Sequence, residues 1–217
     1  RGYYLGVSDE FGVSKDEAWF LYLEPGSAAS TMYRPWESLA LCDVKVDAGG
    51  AVTFRSAAGT NNPFQFTGRL SHDTLVGTIS SVFQSTGAVK TSWSIAPRRV
   101  LPRFLTGSPD SLSGMYGKFE AGTEDVSGRE FVLLDLADRV VGFAQTFQGG
   151  PDAVFDISGN RVKDTLHMTW RGQERTLNPV RLIRGDTLTT YDGKFRGKKI
   201  YSIPELLGAP RRAECKK

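Results

Sequence analysis

Residues 64–70 read Phe-Gln-Phe-Thr-Gly-Arg-Leu, with apolar and polar positions taking turns. Residues 89–95, Val-Lys-Thr-Ser-Trp-Ser-Ile, keep the same period of two. So does Cys42-Asp43-Val44-Lys45-Val46-Asp47, where Asp43, Lys45 and Asp47 are expected to face water and Cys42 to point inward with Val44 and Val46. Side chains on a strand alternate between its two faces, so each run predicts a strand with one wet and one buried side. Turn-forming residues fall between the runs: Asp47-Ala48-Gly49-Gly50, Ser71-His72-Asp73, Ser158-Gly159-Asn160 and Arg184-Gly185-Asp186. About six to eight strands are expected in each half of the chain. Ser14 and Glu17 have the spacing of a helix cap, but the β-favouring Trp19-Phe20-Leu21-Tyr22 run that follows overrides it. Residues 203–210, IPELLGAP, predict at most one short turn of helix.

The pattern occurs twice. RLSHDTLVGT begins at Arg69 and RLIRGDTLTT at Arg181, an offset of 112 residues (181 − 69). Gly2-Tyr3-Tyr4 meets Gly114-Met115-Tyr116 at the same offset, and Trp19-Phe20-Leu21-Tyr22-Leu23 meets Phe131-Val132-Leu133-Leu134-Asp135. Three matches at one offset indicate internal duplication, with a period too long for a solenoid. The repeated decapeptide is a β-hairpin, and its second copy carries one extra turn residue. His72 has Arg184 or Gly185 opposite it, so the hairpin itself needs no histidine. The Pro- and Ser-rich stretch 96–114 is the expected linker, giving a first repeat over 1–107, a second over 108–207 and a basic tail over 208–217.

Antiparallel sheets of this size hide their edges by closing into barrels, and short hairpins in chain order favour an up-and-down barrel over a sandwich. The glycine-x-aromatic starts at Gly2-Tyr3-Tyr4 and Gly114-Met115-Tyr116 carry a family resemblance, as do Arg98 and Arg99 just after the late strand Trp93-Ser94-Ile95. On these residues each half resembles the calycin superfamily of lipocalins, fatty-acid-binding proteins and avidins. Tyr stands where that family has Trp, and the second half, ending KKIYSIPELL, shows no equally clear arginine. The expected fold is therefore all-β: two tandem, related, calycin-like antiparallel barrels. The resemblance implies a pocket for a small hydrophobic or amphipathic ligand.

Composition narrows the partners more than the fold. A net charge of +3 spread without a basic stripe gives no nucleic-acid footprint. No apolar run is long enough for a membrane span. The chain opens at Arg1, read here as processing or truncation, which favours an extracytoplasmic location over a cytoplasmic one. The two cysteines, Cys42 and Cys215, are read as one buried and one exposed thiol, with a Cys42–Cys215 disulfide as the alternative.

Motifs for chemistry are few. His72 and His167 lack histidine or cysteine partners at ligand spacing, so no metal site and no cofactor are expected. Ser71-His72-Asp73 are consecutive on a turn and cannot converge as a triad, and no nucleophile elbow or phosphate loop is present. Asp152, Asp156 and Asp164 would supply an acid/base pair, but they read as solvated neighbours of Arg161 and Lys163. No catalytic residue is assigned. The aromatic residues are more informative: most belong in a core, but Met32-Tyr33-Arg34-Pro35-Trp36 contains a proline that interrupts a regular strand. Tyr33, Arg34 and Trp36, expected at the mouth of the first barrel, form the expected ligand-binding set together with Trp19 and Trp93. The second half has Ala144-Gln145-Thr146-Phe147 at the comparable place, so the first half is the expected binder. Two other readings stand beside ligand binding: a barrel cyclase or isomerase working on a hydrophobic substrate, and a solidly packed structural or protein-interaction module.

Overall fold

A computed structural model describes residues 1–7, 18–27, 29–34, 37–57, 63–83, 85–102, 112–121, 126–136, 138–148, 151–162, 165–171, 180–183, 187–190, 196–208 and 215. The chain divides into two compact units. The first comprises Arg1–Val100 with Leu207–Lys217, and the second Leu101–Leu206. Residues 103–111 of the expected linker lie outside the described residues.

The first unit contains β1 (Gly2–Val7), β2 (Ala18–Leu23), β3 (Thr31–Arg34), β4 (Glu37–Val46), β5 (Ala51–Ser56), β6 (Phe64–Ser71), β7 (Thr74–Val82), β8 (Val89–Ile95) and β9 (Arg98–Val100). Each strand from β1 to β7 pairs antiparallel with the next in chain order. The sheet then curls back on itself through β9, which bonds β1 over Tyr3–Leu5 and meets β7 at Thr74. β8 and β9 form a single run broken at Ala96-Pro97, where proline has no N–H to give a ladder. The Pro97 carbonyl still accepts a hydrogen bond from the Leu75 N–H at 2.9 Å.

The second unit contains β10 (Gly114–Ala121), β11 (Val126–Asp135), β12 (Val140–Gln148), β13 (Pro151–Val162), β14 (Thr165–Arg171), β15 (Val180–Ile183), β16 (Thr187–Thr190) and β17 (Arg196–Tyr201), followed by α1 (Ile203–Gly208). These eight strands form a closed antiparallel barrel, β10 pairing with both β11 and β17. The one helix among the described residues falls where the sequence placed a helical turn. Its cap is reciprocal: the Ser202 N–H donates to Glu205 Oε2 at 2.8 Å and the Glu205 N–H to Ser202 Oγ at 3.4 Å. The Ser202 hydroxyl also donates to Glu205 Oε2 at 2.7 Å, and this bond, with that from the Ser202 N–H, holds the Glu205 carboxyl below its usual range.

The repeat survives in three dimensions. Tyr4, Trp19, Leu21, Met32 and Phe54 belong to the apolar interior of the first unit. Their partners 112 residues on, Tyr116, Phe131, Leu133, Ala144 and Leu166, belong to that of the second. The paired decapeptides are the β6–β7 and β15–β16 hairpins. Ser71↔Thr74 leaves two residues in the first turn and Ile183↔Thr187 leaves three in the second, which is the extra residue seen in the sequence. His72 takes φ +52 in the two-residue turn and is exposed, as is His167 on β14.

One strand departs from simple alternation. Cys42 pairs with Arg55 and Lys45 with Thr53, so Asp43 and Val44 together oppose Phe54. Asp43 sits at φ +54 in this bulge and forms an ion pair with Arg55. The extra residue shifts the phase of the strand. Val44 joins Leu39 and Leu41 in the interior, while Cys42 is grouped with Ala40 and Ala57 on the outer face. The expectation of two free thiols is corrected here: Cys42 and Cys215 form a disulfide, with Cα atoms 5.5 Å apart.

Candidate ligand-binding site

In the first unit the interior is mostly apolar, with Ser56 a buried polar residue whose hydroxyl accepts from the Phe64 N–H at 3.0 Å. Trp19 on β2 packs edge-on against Phe64, with ring centroids 5.9 Å apart. Phe54 and Phe66 stack at 4.6 Å with an interplanar angle of 14°. That stack depends on two glycines. Gly68 and Gly77 face each other across β6 and β7, and a Cβ on either would run into the Phe66 ring. Met32, Leu39, Leu41, Leu75, Ile79 and Ile95 fill the rest, each no more than 4% exposed. Burial of each such side chain contributes about 1.5–3 kcal/mol.

Tyr4 brings a hydroxyl to the end of this interior where the sheet returns on itself, and it pairs there with Arg99 on β9. Burial raises the Tyr4 hydroxyl above its ordinary value; the Arg99 charge works against the shift and Asp73 adds to it. The second unit repeats the arrangement. Tyr116 on β10 pairs with Lys199 on β17, and the Lys199 ammonium lies 5.3 Å from the centre of the Tyr116 ring. Lys199 is thus the counterpart of Arg99. In the sequence it is hidden by the lack of an arginine.

At the other end of the first unit the wall is incomplete among the described residues. β8 pairs with β7 alone, while β1 bonds β9 only as far as Leu5 and continues through Gly6 and Val7 beside β2. Trp19 lies directly across from Gly6, so the largest interior ring stands next to this seam.

The expected site residues fall in different places. Trp19 is in the interior and 1% exposed. Tyr33 is also buried, but it pairs with Phe20, the neighbour of Trp19, so Tyr33 and Trp19 are on opposite faces of the sheet. Tyr3 is part of that outer face, its ring 5.9 Å from Phe20 and 4.8 Å from Tyr22. Arg34 ends β3 opposite Glu37, and Trp93 lies on β8 opposite Ile79; their side chains are outside the description. Trp36 lies outside the described residues, as do the side chains of Asp152, Asp156 and Asp164.

The sequence reading also missed a buried polar pair in the second unit. Glu130 and Gln145 face each other across β11 and β12, on the face opposite Phe131 and Ala144, and are 1% and 0% exposed. Among the described residues neither amide atom of Gln145 has a hydrogen-bond partner. Gln145 is the repeat counterpart of Tyr33, 112 residues on.

Among the described residues no group of three His, Cys, Asp or Glu side chains is placed to hold a metal, and no helix is long and apolar enough to cross a membrane. The chain matches no protein-family model, no curated protein and no solved structure.

Proposed function

We propose that the chain is a calycin-type binding protein whose first unit takes a small apolar or amphipathic organic ligand into its interior, next to Trp19. The observation that carries this reading is an aromatic interior together with the absence, among the described residues, of a pairing between β1 and β8 beside its largest ring. Apolar pockets of this kind bind by removing ligand surface from water, and a few polar groups at one end fix orientation. The Tyr4 hydroxyl is the described polar group best placed for that. The tyrosine–cation pair between first and last strands in both units, Tyr4 with Arg99 and Tyr116 with Lys199, supports the calycin kinship.

A second reading has its own observation. Every residue of the first interior cluster is at most 6% exposed, as expected for a solidly packed structural or interaction module. Titration of intrinsic tryptophan fluorescence with a panel of lipophilic acids, neutral isoprenoids and sugars separates the two. A saturable response to one lipophilic class, lost in Trp19→Ala and kept in Tyr33→Phe, is expected for binding. A flat response across the panel overturns binding in favour of the packed module.

A further inference from the structure

We infer that the tip of the β7–β8 hairpin docks the first unit on a phospholipid surface, with Phe83 and Val89 entering the headgroup layer and Lys90 meeting lipid phosphate. Phe83 is 49% exposed and Val89 51%. They stand on the two arms of one hairpin, Phe83 directly after Val82 and Val89 paired with Val82. The ladder passes from Ser81↔Thr91 to Val82↔Val89, so Lys90 is an extra residue at this point. Its ammonium lies 4.7 Å from the centre of the Phe83 ring. Single exposed apolar residues are ordinary on a protein surface, but this tip gathers two of them and a cation in one place.

A loop that enters lipid must satisfy its backbone without water and carry no carboxylate with it. The hairpin meets both conditions. The Phe83 N–H donates to the Ala88 carbonyl at 2.9 Å, the Gly87 N–H to the Phe83 carbonyl at 2.7 Å and the Ala88 N–H to Thr86 Oγ1 at 3.2 Å. Gly87 takes φ +68 to close the turn. No Asp or Glu occurs from Thr74 to Pro109, and Lys90 is the only charged residue from Thr74 to Ile95. That charge complements the phosphate of a phospholipid headgroup, and the long lysine stem lets the ammonium stay at phosphate level while Phe83 lies deeper. Residues 8–17 carry Asp9, Glu10, Asp16 and Glu17 against Lys15, so bulk charge does not drive the contact and apolar entry supplies most of the attraction. The docking does not depend on what the interior of the first unit holds.

Sedimentation of the whole chain with sucrose-loaded vesicles tests this, using phosphatidylcholine alone and phosphatidylcholine mixed with phosphatidylglycerol. Binding to both is expected. Phe83→Ser is expected to weaken it about tenfold on either vesicle, and Val89→Ser about fivefold. Lys90→Gln is expected to weaken binding to the anionic vesicles by about fivefold. Val76→Ser, which removes a comparably exposed valine (42%) near the β6–β7 turn, is expected to change nothing. Far-UV circular dichroism checks that each variant keeps its strands. No sedimentation with either vesicle overturns the proposal, as does equal binding by the unaltered chain, Phe83→Ser and Val89→Ser. Self-association without lipid that Phe83→Ser abolishes, read by sedimentation velocity, overturns it as well, because a second copy of the chain is then the occupant of the tip.

Discussion

Among the described residues of the first unit β8 pairs with β7 alone and the sheet returns to β1 through the short β9, whereas in the second β10 and β17 pair with each other and the ring of eight strands is complete. The interiors differ in step with the walls. Where the first unit has Trp19, Met32 and Phe54, the second has Phe131, Ala144 and Leu166 at the repeat-equivalent positions. The number of strands sets how much side chain a barrel encloses. The smaller set fits inside a closed ring, and the larger set accompanies a ring with a seam. Duplication thus supplied two copies of one strand plan, and substitutions at a few inward positions gave the two copies interiors lined by side chains of different size.

The strongest way to break this contrast is to force open the closed barrel. A Cβ at Gly142 on β12 would sit against the Val132 carbonyl of β11, backbone that cannot step aside. Gly142→Val is expected to cost about 3 kcal/mol or more, read as a lower denaturation midpoint together with faster amide exchange across β11 and β12. Next in size is Trp19→Ala, expected to cost about 3–5 kcal/mol by leaving a cavity. Trp19→Phe, which installs the residue found at the equivalent place in the second unit, is expected to cost less than about 1.5 kcal/mol. Equal losses for the two variants would show that ring size at this position does not distinguish the units.

Gln145→Leu is expected to stabilise the chain by about 1 kcal/mol, because it removes two buried polar atoms that have no partner. Chemical denaturation measures it, and a loss of stability would mean that Gln145 is hydrogen-bonded in solution. The smallest effect belongs to Tyr4. Its hydroxyl titrates above the ordinary 10.0 because it is buried, so the folded state favours the neutral form. That contribution is fully present below pH 10.0 and is lost as pH rises from there through the folded-state value. Tyr4→Phe is expected to flatten the decline of the urea midpoint with pH in this range.

Much of this architecture is legible in the sequence, for a definite reason. Period-two alternation and turn residues are local signals, and they locate β6, β8 and the hairpin pair. The 112-residue offset then carries the plan from one unit to the other. What is not legible depends on register, which belongs to pairs of strands. Tyr33 reads as a mouth residue from its neighbours, yet its pairing with Phe20 puts it behind the wall from Trp19. Cys42 reads in phase with Val44 until the bulge at Asp43 inserts a residue, and only then is it free to meet Cys215. Lys199 gains its role from standing across from Tyr116, which no spacing along the chain reveals. Gln145 looks like an ordinary polar alternate, and only burial makes it an orphan.

Hydrogen–deuterium exchange on the full-length chain, with and without the panel member that gives the largest fluorescence response, tests the central contrast most directly. Slowed exchange confined to peptides from β1, β2, β7 and β8, with β10–β17 unchanged, is the predicted result. Protection centred on β10–β17, or no change in either unit with any member of the panel, would contradict it.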